Sequence, residues 1–108
     1  MLEPGLDRHE WESEWQALEE QVADAPAEAL PELDNLVGRM LEARGFAIGD
    51  PVASEGDDPE IIAEFRSARE TMRLVEAGAD GISPGDIAAA INGYRAVYEY
   101  VIADHRAP

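Results

Sequence analysis

Arg66, Arg69 and Arg73 follow one another at intervals of three and four residues, which gathers three of the chain's eight cationic side chains on one face if the segment is helical. Guanidinium groups in such a row can hold a carboxylate or a phosphate through forked hydrogen bonds, so these three are the candidate anion-binding residues. Glu64, Glu70 and Glu76 interleave with them at helix-neighbour spacing. Ion pairing within the chain competes for the same donors and is the expected use of the row. A small enzyme or an anion-binding regulator is therefore the third functional reading. General acid–base work has no placed group beyond ordinary surface carboxylates, and the chain is expected not to be an enzyme.

Metal chemistry finds little to build on. A carboxylate-bridged metal bundle needs a glutamate three residues before each histidine, so that both ligands share a helix face. Leu6 precedes His9 at that distance and Ile102 precedes His105, so both histidines read as solvated residues near the chain ends. The link GADGISPGD has the Asp-Gly and the isoleucine of a calcium loop, but Gly78 stands where an oxygen ligand is needed and the closing bidentate glutamate is missing. With no cysteine, thiolate sites and disulfides are also excluded. No metal and no cofactor are expected.

The remaining chemistry is aromatic. Trp11, Trp15, Leu18 and Val22 follow steps of four, three and four inside the glutamate-rich run RHEWESEWQALEEQV, the seam of an amphipathic helix. Two tryptophans ringed by charge are the kind of anchor that interfaces use. These four residues are accordingly the candidate interaction set, together with Tyr100, which points away from the face of Tyr94 and Tyr98. Tyr94 and Tyr98 are expected in the core.

Four helices must position these side chains. The first is predicted over 6–25 and the second over 27–44, with Pro26 interrupting between them, Pro31 in the second helix's first turn and Gly45 as its C-terminal residue. Leu30, Leu33, Leu36, Val37, Met40 and Leu41 form the inner face of the second helix. Residues 45–57 lack a period and read as a surface loop whose Phe46, Ile48 and Val52 tuck against the core. Asp57 or Asp58 caps a third helix over 58–77, which Gly78 ends. Ser83 and Asp86 form a capping box for a fourth over 83–104, in which Gly93 suggests a close helix crossing. The fold class is all-α, a small antiparallel four-helix bundle forming a single domain over 1–108, with 1–5 and 105–108 as frayed ends.

Charge narrows the partners. The 108 residues carry a net charge of −16 and no lysine. Residues 1–60 hold 17 acids against 3 arginines, a net of −14, whereas 61–108 hold 7 against 5, a net of −2. A field of that sign repels phosphate backbones and attracts basic proteins, so direct nucleic-acid binding is not expected. Without an apolar run of about 20 residues or a signal-like N-terminus, no membrane span is expected and the expected location is cytoplasmic. The leading functional reading is a non-enzymatic acidic interaction module that self-associates or docks on a protein partner through an apolar stripe. The alternative is a polyanion-like inhibitor or antitoxin-type protein that binds a basic partner.

Overall fold

The structure, a computed structural model, describes residues 4–44 and 59–106, which form four helices joined by short links and no strand. Helix α1 runs Pro4–Asp24, α2 Pro26–Ala43, α3 Pro59–Glu76 and α4 Pro84–Arg106. All four begin on a proline. A proline at the first helical position has its φ already set and loses no hydrogen bond, because the first N–H groups of a helix have no partner within it. Pro4 thus starts α1 two residues before the predicted start at 6, and α4 ends two residues beyond the predicted 104, so the helices reach into both ends that the sequence reads as frayed.

Pro26 starts α2 rather than merely interrupting the chain, and Ala25 alone separates α1 from α2. The Ala25 N–H donates to the Gln21 carbonyl and its own carbonyl accepts from Glu28 and Ala29, so one extended residue closes α1 and opens α2. Pro31 is the sixth residue of α2 and lies in the helix body, not in its first turn. The N–H it lacks would have donated to Ala27. Burial of Ala29, Leu30 and Leu33 on either side holds the helix across that gap.

Both predicted signals flanking the α3–α4 link are realised. Gly78 adopts φ 73° and donates to the Val75 carbonyl, while Ala79 donates to Leu74, the paired bonds of a Schellman terminus. The Asp86 N–H donates to Ser83 Oγ at 3.1 Å, and the Ser83 N–H donates back to Asp86 Oδ2 at 3.0 Å. Aspartate thus closes the capping box despite its short side chain. Gly45, the 45–57 loop and the capping residues Asp57 and Asp58 lie outside the described residues.

The helices pack as an up-and-down bundle with one short diagonal. Leu30, Leu33, Leu36, Val37, Met40 and Leu41 of α2 are buried against Phe65 of α3 and Tyr94, Val97 and Val101 of α4. Helices α2 and α4 meet directly through the middle, and α1 and α3 lie on opposite outer sides of that pair. Glu19 meets Arg95 and Trp15 meets Tyr98, so α1 and α4 run antiparallel. At the α3–α4 crossing, a Cβ on Gly93 would sit 3.4 Å from the Ala68 Cβ and 3.6 Å from the Glu64 carbonyl oxygen. That near contact is the close approach expected at this position.

Candidate functional site

Among the described residues Asp34 is the charged side chain buried in the core. It sits on the inner stripe of α2, four residues after Leu30 and three before Val37, so the helix turns its carboxylate inward among leucines. A buried carboxylate needs partners on every lone pair it exposes. Arg69 of α3 supplies a fork: Nη2 donates to Oδ1 at 2.9 Å and Nε to Oδ2 at 3.0 Å. Tyr94 of α4 donates its hydroxyl to Oδ2 at 2.7 Å. The Arg69 guanidinium also stands 4.5 Å from the centre of the Phe65 ring, whose edge meets the Tyr94 ring. Burial pushes the Tyr94 phenol well above its ordinary value, and the bond to Asp34 pushes in the same direction. The Asp34 carboxylate raises Arg69. Three helices are thus tied together at one buried point.

The predicted arginine row is divided by this arrangement. Arg69 is committed to Asp34, and Arg73 is exposed. Arg66 encloses its Nη2 where no described residue accepts from it. The fork of the central arginine is thus taken up within the chain.

The aromatic seam is closed inside the chain. Trp11 and Trp15 are 8 % and 6 % exposed, and Leu18 and Val22 pack against the core at its edge. Trp15 stacks on Tyr98 of α4 with ring centres 4.3 Å apart and planes 9° from parallel. Its indole N–H donates to Glu19 Oε2 at 2.8 Å. The Arg95 fork donates to the same carboxylate through Nη2 at 2.9 Å and Nε at 3.2 Å, and its Nη1 donates to Asn92 Oδ1. The hydrogen bond from Arg95 holds the Glu19 carboxyl below the usual glutamate value, against the opposing pull of burial. Tyr100 points to another face, as expected, and is among the exposed large side chains with Leu74.

What stays open is next to the seam. Where the α1–α2 turn faces the start of α4, Val22, Ala25, Ala27, Ile87, Ala88 and Ile91 wall an apolar groove of about 590 Å³. Glu28 and Arg95 are its charged lining residues. The groove is within the size range of ligand and side-chain binding clefts. Of the predicted interaction residues, Val22 alone lines it. The alanines around it were not singled out by the sequence, because small residues on a helix face read as filler until a neighbouring element fails to cover them. Among the described residues no group of three or more histidine, aspartate or glutamate side chains is placed to hold a metal ion, and no helix is long and apolar enough to cross a membrane. No protein-family model matches the chain, and neither the curated proteins nor the solved structures gave a match.

Proposed function

We propose that the chain is a non-enzymatic, acidic helical interaction module that works in the cytoplasm and engages a protein partner through the groove between the α1–α2 turn and α4. The observation that carries this reading is the groove itself, an apolar recess of about 590 Å³ left uncovered beside a well-filled core. The predicted apolar stripe contributes through its C-terminal end, at Val22, while Trp11 and Trp15 serve as the rigid backing of α1 on α4. The buried polar cluster supports a non-catalytic role, since Asp34, Arg69 and Tyr94 satisfy one another. The partner is another protein or a second copy of the chain.

A photo-crosslinking residue placed at Ala88 tests the reading. It captures a protein in cells that produce the chain, whereas the same residue at the exposed Glu70 of α3 does not. Equal capture at the two positions would remove the groove from the account.

A further inference from the structure

We infer that the occupant of this groove is a basic amphipathic helix, an inference that rests on the interaction reading above and names the partner's chemistry. The shape comes first. The α4 wall runs from Pro84 to Arg95, a rise of about 16 Å, long enough to lie alongside three turns of a second helix. Ala88 on that wall and Ala25 and Ala27 on the facing one keep both walls low, which lets another helix approach closely and seat one row of apolar side chains at three- and four-residue spacing.

Charge selects the sign of the occupant. Arg95 is the cation of the lining, and it is already neutralised: Nε and Nη2 are both on Glu19, and Nη1 is on Asn92. The groove therefore holds out no uncommitted fork to an anionic head group. The acids around the α1–α2 turn are differently placed. Glu28 lines the groove and is exposed, while Asp24 and Glu20, exposed on the side of α1 away from Val22, add to the surrounding field only at long range. They belong to the half of the chain with a net charge of −14. A lysine or arginine flanking the apolar row of a docked helix would meet Glu28, and the long-range field of the acidic half would speed its encounter.

The test uses the full chain and three fluorescent peptides, read by anisotropy. One is a designed helix with leucines on one face and lysines on the others, one has the same composition in scrambled order, and one replaces lysine with glutamate. The amphipathic lysine peptide is expected to bind at least about tenfold more tightly than the scrambled one and to weaken steeply with salt. Ala88→Gln fills the groove without adding charge and is expected to abolish that tenfold preference; Ala27→Gln, on the opposite wall, repeats the test should the first variant disturb the fold. Asp24→Asn with Glu28→Gln is expected to reduce binding while keeping the preference for amphipathic order.

The glutamate peptide binding as well as the lysine peptide, and blocked by Ala88→Gln, would overturn the basic partner and leave the groove reading standing. Lysine-peptide binding that ignores both peptide order and Ala88→Gln would overturn both. A dimer measured by light scattering without peptide, and broken by Ala88→Gln, would also overturn the inference by making a second copy the occupant.

Discussion

At the scale of single residues, Asp34 is the one whose removal changes the most. Asp34→Ala leaves the Arg69 guanidinium and the Tyr94 hydroxyl without their acceptor. It is expected to cost about 3 kcal/mol in urea unfolding, the lower end for breaking a buried pair because Arg69 keeps some contact with water. Tyr94→Phe removes a single donor and is expected to cost about 1 kcal/mol. In a double-mutant cycle the two losses should fall short of additivity, since both report on one carboxylate. Glu19 gives a pH-dependent counterpart. Its folded-state carboxyl titrates below the ordinary value of 4.5, so the stability it contributes is present above that value and lost as pH falls through the folded one. The stability difference between the protein and Glu19→Gln should accordingly be constant near neutrality and shrink below pH 4.5; a gap that stays constant into acid would mean that the Arg95 pairing does not depend on the charge of Glu19.

At the scale of elements, the helix ends are where local sequence and local structure agree most closely. Gly78 sits at φ 73°, and a Cβ there would meet nothing within 4 Å. The cost of Gly78→Ala is therefore purely conformational, about 1 kcal/mol, measured as a lowered urea midpoint with unchanged slope. A negligible cost would mean that the Schellman terminus is not needed to turn the chain into α4. The close crossing at Gly93 was legible from a glycine amid an apolar stripe, and the Ser83–Asp86 box from residue type and spacing. Pro31 misled because a start at Ala27 already makes it the fifth residue, beyond the first turn, and with Pro26 as the first residue it is the sixth. Asp34 was legible in principle. It falls on the same stripe as Leu30, Val37 and Leu41, and an aspartate on such a stripe asks for a buried cation.

At the scale of the whole molecule, the net charge of −16 opposes the compact state. Two of the exposed ion pairs that offset it join elements, Glu14 to Arg39 at 2.7 Å across α1 and α2 and Glu19 to Arg95 across α1 and α4. Both are substantially exposed, so each contributes little and weakens in salt. Self-repulsion is the larger effect and is screened as well. Stability should therefore rise between about 0.05 M and about 1 M sodium chloride, as the Debye length contracts from beyond 10 Å to about 3 Å. A fall over the same range would make the ion pairs the dominant electrostatic contribution.

The sequence by itself determined the helices, the inward stripe of each and the caps around the α3–α4 link, because these depend on residues within a turn or two of one another. It also determined the sign and asymmetry of the charge. Tertiary structure alone decided which side chains share a neighbour. Arg69 could have joined Arg66 and Arg73 around an anion; it went to Asp34, 35 residues earlier in the chain, because α2 and α3 pack so that the two charges meet. The tryptophan seam could have faced a partner, and α4 covers it through Tyr98. The groove appears where α4 no longer covers the α1–α2 turn. Periodicity assigns a residue to a face, but only the packing of the helices settles whether that face meets a neighbour or water.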